Sequence, residues 1–429
     1  MNEAFLQYVW RHKLLEGPLT TVEGLTVVVE RAGEQNHDAG PDFFDSRIVI
    51  GGIRWAGNVE VHIRASDWNK HHHSEDKNYN NVILHVVYIH DADVTLENGK
   101  KIPTLDISNA ISDEVWSNYD QLMNPQEETE IPCASRLSEI PNFLFQLSQD
   151  RLMVERMERK SGDVQRLLHE SKGSWEQTCY WLTARYFGGK TNAFPFELLA
   201  KLTPMTILAK IKDNPFRVES LFFGQAGLLE DDFDDDYPKA MQREYNYMSA
   251  AYNLRPMSGH LWKFFRIYPA SFPTLRISQF SNLIVKSCNL FSKLLETSDV
   301  KALRRLFEVE TTEYWLTHYT FDNTKPRRVK SLGISLVDNI LINAWVPLLF
   351  EYGMLHDDNS RKEQAFSLLQ QLPPEHNRIV KLWNAEGIEP HNAAESQALI
   401  QRYNEYCSRK QCLDCQLAFK LIKTTNQNK

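Results

Sequence analysis

One stretch, Gly40 to Tyr88, constrains this chain more than any other: GPDFFDSRIVIGGIRWAGNVEVHIRASDWNKHHHSEDKNYNNVILHVVY. Asp42 follows a Gly-Pro break, a β-type run leads to Gly51-Gly52, and a second run carries Val59-Glu60-Val61-His62. Side chains at i and i+2 of a strand share a face, so Glu60 and His62 point the same way. If 43–50 and 58–65 pair as a hairpin, Asp42 joins them. Two carboxylates and an imidazole converging on a sheet make a seat for a divalent metal and the water it activates.

The flanking patterns build a small sheet domain around that stretch. Apolar positions Phe5, Leu6, Val9, Trp10, Leu14 and Leu15 predict an amphipathic helix over 3–15, stopped by Gly17-Pro18. Leu25–Glu30 reads as a short strand, 31–42 as a polar loop, and Val82–Tyr88 as a buried central strand. Val94–Leu96 and Ile102–Ile107, joined by Glu97-Asn98-Gly99-Lys100, predict another hairpin on the Asn-Gly signal. Residues 1–110 are therefore assigned to one α/β domain and 111–140 to a linker containing Cys133.

Beyond it the pattern turns helical: 141–160, 174–187, 194–212, 239–253, 276–296, 300–309, 333–353, 360–371 and 391–406. No fixed period recurs, so 141–429 is expected to be an irregular all-α domain, not a solenoid, and the fold class is α+β. Glu230–Asp236 reads as a solvated acidic turn.

Three further constellations carry chemistry. His71 and His73, with Asp67 and Asp76 nearby and His72 less favoured, suit a transition metal; they extend the Asp42/Glu60 site if their loop folds back over the sheet. His85, on the central strand, reads as a hydrogen-bonded core histidine. Cys407-x4-Cys412-x2-Cys415 supplies three thiolates, and Cys133 is the candidate fourth ligand for zinc or an iron–sulfur cluster. Cys179 and Cys288 read as core cysteines.

Composition narrows the rest. A net charge of −8 gives no global attraction to nucleic acid, so any such contact needs a local basic patch. Trp262–Arg266, Pro273–Arg276 and Lys325–Lys330 mix cations with aromatics and either hold phosphates and stack bases or tie loops to carboxylates. Six cysteines in 429 residues are too sparse for a disulfide scaffold. No run of about 18 apolar residues is present, and the first 17 residues interrupt their apolar positions with charge, so the expectation is a cytoplasmic protein with no membrane span. No Gly-x-Ser-x-Gly or Gly-rich phosphate loop occurs. Oligomeric state is not legible.

The order helix, strand, Pro41-Asp42, hairpin, Glu60-Val61-His62, buried strand resembles the PD-(D/E)xK nuclease superfamily, with histidine in place of the usual lysine. The resemblance implies a restriction-endonuclease-like fold, with magnesium or manganese held by Asp42 and Glu60. It also implies a further acid from Glu3, Glu30 or Glu34, and His62 as metal ligand or water activator. Some members of that superfamily close their fold with a four-cysteine iron–sulfur staple, similar in kind to Cys133 with Cys407, Cys412 and Cys415. The implied activity is metal-dependent phosphodiester cleavage of DNA or structured nucleic acid. Two other readings stay open: a nuclease-like scaffold without catalysis that binds protein or nucleic acid, and a metallohydrolase of small phosphoesters using His71 and His73. The chain as a whole also resembles an uncharacterised bacterial family of unknown function. The segments that carry this are Gly40–Phe43, Val59–His62, Ser66–Trp68, Leu84–Val87, Phe223–Leu229, Phe272-Pro273, Tyr314-Trp315 and Cys412–Cys415.

Overall fold

The computed structural model describes residues 1–126, 129–287 and 289–423; Cys288 lies outside the described residues. The chain divides into two compact units, Met1–Ser148 with Arg402–Lys429, and Gln149–Gln401. A mixed sheet occupies the first and helices the second, an α+β organisation. The cysteine-bearing tail groups with the sheet and not with the helical unit.

The first unit opens with helix α1 (Glu3–Arg11), capped by the Asn2 side chain, which accepts the Phe5 amide at 2.9 Å. It stops about one turn short of the expected Leu15. His12 ends it, and Lys13 takes a left-handed φ of 51°. The amides of Leu14 and Lys13 then donate back to Val9 and Trp10, the two bonds of a Schellman motif. Phe5, Leu6, Val9 and Trp10 are buried.

Strands β1 (Leu19–Thr20), β2 (Thr26–Arg31), β3 (Glu34–Gln35), β4 (Phe43–Ile50), β5 (Ile53–Arg64), β6 (Val82–Ile89) and β7 (Thr104–Asp106) form one sheet. Its order is β1-β2-β4-β5-β6-β7, with β3 pairing β4. The β4–β5 hairpin turns on Gly51 and Gly52, whose φ values of 57° and 82° suit a type I′ turn. Ile50 pairs Ile53, but the register slips between Ser46 and Phe43. Asp45, at φ 51°, sits in that bulge, which re-aims the start of β4. β5, β6 and β7 run parallel, which requires a crossover. Between β5 and β6 this is residues 65–81, holding helix α2 (Asp67–Lys70) and two single 3-10 turns.

The expected 94–107 hairpin shrinks to one bridge, Thr95 with Lys101. The residues after it leave to pair in parallel with β6, because Leu105 and Ile107 are apolar enough to be buried in the sheet. The presumed linker contains helix α3 (Asp113–Met123), capped by Ser112. The helix Gln416–Lys423 packs in the same unit, where Asn118 donates to the Ile422 carbonyl at 3.3 Å.

In the second unit the expected helix 194–212 splits into Gly189–Leu202 and Met205–Ile211 at Thr203-Pro204, since the residue before proline avoids the α region. The expected 276–296 is Pro273–Lys286 and Leu290–Glu296. Ile334–Leu355 contains a π turn over Leu341–Trp345. Among the described residues it is the one helix long and apolar enough to cross a membrane, and 72% of its most apolar window is buried in the fold. The sequence pattern understated it, because Asp338, Asn339, Asn343 and Glu351 interrupt the apolar run. Helices at Pro215–Gln225 and Arg378–Ala385 were not expected. The motif Phe223–Leu229 is architectural: a Cβ on Gly224 would lie 2.1 Å from the Tyr245 ring, and one on Gly227 2.2 Å from the Met257 carbonyl. Tyr245 donates to the Gln225 side chain at 2.8 Å, and the Trp262 indole to the Ala226 carbonyl at 2.8 Å.

Candidate metal centre

Strand alternation does place Glu60 and His62 together: Glu60 Oε1 lies 3.5 Å from His62 Nε2. Asp42 meets them through the bulge at the start of β4. Its amide donates to Glu60 Oε2 at 3.0 Å, and the Val61 amide donates to Asp42 Oδ2 at 3.0 Å. The third acid comes from α1. Glu3 is close enough that burial and the Asp42 charge raise its pKa and its own charge raises that of Glu60, and Gln7, one turn on, donates to Asp42 Oδ1 at 2.9 Å. Glu30 and Glu34 are instead engaged at the surface with Arg54 and Arg31.

The histidine loop folds back onto this face. His71 Nδ1 lies 3.2 Å from His62 Nε2, and His73 Nε2 lies 3.3 Å from Glu60 Oε1. One ligand atom from each of His62, His71 and His73 falls within 4.8 Å of the others. Ligands about 2.0–2.1 Å from a tetrahedral ion are roughly 3.3–3.4 Å apart, so the 3.2, 3.3 and 3.5 Å spacings match those of a divalent cation's donor set, while the histidine atoms as a group are bounded only by 4.8 Å. His73 Nε2 is buried and, among the described residues, has no hydrogen-bond partner, which leaves it available as a ligand. His71 is exposed and opens the site to solvent.

The remaining loop groups are structural. Asp67 accepts the Arg64 amide, Asp76 accepts the Asn78 amide, and His72 points outward at φ 62°. Tyr79 stacks on His73 with ring centroids 3.8 Å apart, and Trp68 packs edge-on against His73 and tilted against His85. Trp68 and Tyr79 belong to an apolar cluster with Val82, Val94, Leu96 and Ile102, which holds the histidine loop down. His85 is the core histidine expected, but its partner is His62: His85 Nε2 and His62 Nδ1 are 2.9 Å apart. That contact fixes the ring of a ligand from behind.

Electrostatics set the protonation. Burial, then the nearby Glu60 charge, pushes Asp42 up to about 7, and burial with a contribution from Glu3 pushes Glu60 up to about 8. Burial and the neighbouring histidines hold His62 down at about 2 and His85 at about 3. A neutral imidazole such as His62 is able to ligate a metal and lacks the fixed positive charge of a lysine. Two protonated carboxyls beside neutral imidazoles form a site in which a divalent cation replaces protons.

The expected second ligand set, Cys133, Cys407, Cys412 and Cys415, lies in the same unit, but among the described residues only His62, His71 and His73 bring three ligand atoms within 4.8 Å of one another. Cys133, Cys407 and Cys412 are buried and Cys415 partly so, all as free thiols. They share one electrostatic neighbourhood: burial pushes Cys133 and Cys412 up to about 12 and Cys407 higher still, with the charges of the other cysteines adding to each. Cys407 ends the wide turn Arg402–Cys407 that continues the helix Ala393–Gln401. Arg402 is 1% exposed, its guanidinium lies 5.1 Å from the Phe145 ring, its Nη2 donates to Ser148 Oγ at 3.2 Å, and among the described residues its Nε and Nη1 have no hydrogen-bond partner. This buried cation is near enough to Cys133 and Cys407 for its charge to lower their pKa values against the effect of burial. Cys179 is buried in the helical core, as expected.

Gln7, Arg402 and the pairing of His85 with His62 were not expected from the sequence. Only Gln7 left a signal, one helical turn after Glu3. The family described as "Protein of unknown function (DUF2851)" matches residues 3–378. No curated protein and no solved structure matches the chain.

Proposed function

The chain belongs to the DUF2851 family, whose description names no reaction, and from the site itself we propose a metal-dependent phosphodiesterase of restriction-endonuclease-like fold acting on nucleic acid. The single observation that carries this reading is the meeting of Asp42, Glu60 and Glu3 with His62, His71 and His73 on one sheet face. The element order around that face supports it: a helix, a strand, a hairpin bearing Asp42 and Glu60 on adjacent strands, a crossover and a parallel strand.

Magnesium favours all-oxygen shells, whereas imidazoles suit manganese, iron or zinc. The donor set, Glu60 Oε1 with His62, His71 and His73, therefore assigns the site a transition-metal divalent ion. Bound there, such an ion supplies Lewis-acid polarisation of a phosphodiester and acidifies water. Asp42 and Glu3 supply negative charge beside that donor set, Gln7 orients the Asp42 carboxylate, and His85 fixes the His62 ring. With His62 neutral and engaged on both nitrogens, Asp42, titrating near 7, is the proton acceptor for an attacking water. The cysteine centre is assigned a staple of the C-terminal tail onto the sheet unit, and the protein is placed in the cytoplasm.

The test is cleavage of supercoiled and single-stranded DNA with manganese, zinc or magnesium, by the wild type and the Asp42→Asn and Glu60→Gln variants. Cleavage lost in both variants supports the assignment; equal cleavage in all three overturns it. Metal binding without cleavage of any nucleic acid would favour the scaffold.

A further inference from the structure

The second unit contains a cavity of about 560 Å³ whose lining includes Tyr268, Phe272, Tyr319, Lys325, Arg328 and Lys330. Among the described residues no aspartate or glutamate lines it, in a chain where acids outnumber bases 56 to 48. Behind the lining the positive charge is fixed. The Lys330 ammonium is buried, donates to the carbonyls of Trp315 and Leu316, and lies 4.4 Å from the Tyr319 ring. Arg276 reaches only neutral partners, Gln279 Oε1 at 3.0 Å and Ser271 Oγ at 3.3 Å, and burial holds it down at about 10. Neither cation has a carboxylate partner among the described residues.

The rim is equally specific. Residues 325–329 are exposed while their backbone is pinned, the Lys325 amide donating to Thr317 O at 2.6 Å and the Arg328 amide to Leu316 O at 2.8 Å. Tyr268 is 74% exposed, and Phe265, three residues before it, 82%. The Arg266 guanidinium lies 5.3 Å from the Phe265 ring. Exposed aromatic faces beside unneutralised cations cost solvation and have no role in a core. They are the two components of a single-strand platform, stacking faces and a positive track.

We infer that this cavity docks single-stranded nucleic acid, with phosphates against Lys325 and Arg328, Lys330 and Arg276 as fixed charge behind them, and bases on Tyr268. The choice of this polyanion rests on the nuclease reading; the positive cavity does not. Duplex DNA presents its bases stacked and paired, so it gains only the charge contribution.

The experiment is fluorescence anisotropy of fluorescein-labelled dT20 with the full chain in EDTA, across a salt series. The Lys325→Ala/Arg328→Ala double variant is expected to bind at least 10-fold more weakly, with the salt slope reduced by about 1.4 (about 0.7 per phosphate contact). Tyr268→Ala is expected to lose about 5- to 100-fold with the slope unchanged. All three side chains are exposed, so the thermal melt should match the wild type. Wild-type affinity in both variants, or duplex binding as tight as dT20, overturns the inference. The two proposals fail separately. Asp42→Asn should bind dT20 normally, so lost cleavage with intact rim binding is a catalytic result. Rim-dependent binding with no cleavage under any metal would sink the nuclease and leave the docking site standing.

Discussion

Replacing Glu60 by glutamine should stabilise the metal-free protein at alkaline pH, the opposite of what removing a structural carboxylate does. Glu60 titrates at about 8 in the fold against its usual 4.5, chiefly through burial, with Glu3 adding repulsion. Its folded pKa is raised, so its contribution is fully present below about 4.5 and is lost as pH rises toward 8. Each pH unit in that window removes about 1.4 kcal/mol, which puts the deficit near pH 8.5 on the order of 4–5 kcal/mol. Glutamine cannot ionise but still accepts the Asp42 amide now bonded to Glu60 Oε2. At about 2–4 °C per kcal/mol for a unit of this size, metal-free Glu60→Gln should melt roughly 10 °C above wild type at pH 8.5. The gap should close to about 2 °C at pH 5. Saturating manganese or zinc should close most of that gap at pH 8.5 and put wild type above the variant at pH 5, because a ligand at a thousand times its Kd adds about 4 kcal/mol to the protein that binds it and the variant has lost a donor. Differential scanning fluorimetry at three pH values, with EDTA or metal, reads all of this. A variant less stable than wild type at every pH in EDTA would refute the reasoning, since Glu60 would then be a structural hydrogen-bonding group.

Metal affinity measured by isothermal titration should rise with pH between about 6 and 8.5, approaching two protons displaced per ion, because Asp42 and Glu60 titrate at about 7 and 8 while His62 stays neutral throughout. His62→Ala should abolish tight binding, and His85→Phe should weaken it about 10- to 100-fold by freeing the His62 ring; unchanged affinity in both would remove the imidazoles from the site. Cys412→Ser should release the iron or zinc found by elemental analysis of anaerobically purified protein and lower the melting temperature of the sheet unit, whereas Cys179→Ser should leave metal content unchanged. Gly224→Ala should cost at least about 1–3 kcal/mol by urea melt, since its Cβ would overlap the Tyr245 ring; a wild-type midpoint would refute the close approach of those two helices.

Much of the centre was legible from local chemistry. Period-two alternation put Glu60 beside His62, Gly51-Gly52 fixed the hairpin, and the Pro-Asp start of β4 brought Asp42 to the same face. The switch from a small sheet to a helical region and the spacing of Cys407, Cys412 and Cys415 were equally readable, because these are properties of neighbours in the chain. What stayed hidden depends on residues distant in sequence. Nothing local distinguishes Glu3 from Glu30 or Glu34; only the packing of α1 brings Glu3 to Asp42 and leaves the other two to surface arginines. His62 with His85, 23 positions apart, is set by the parallel register of β5 and β6, and β7 abandons its Asn-Gly hairpin because a parallel edge buries Leu105. The return of the tail, with Cys407, Cys412, Cys415 and the buried Arg402, into the unit that holds Cys133 spans more than 250 residues. Side-chain period and turn chemistry act over a few bonds and are written in the sequence. Register, helix docking and tail closure are chosen by burial across the whole unit, and only the tertiary structure decided them.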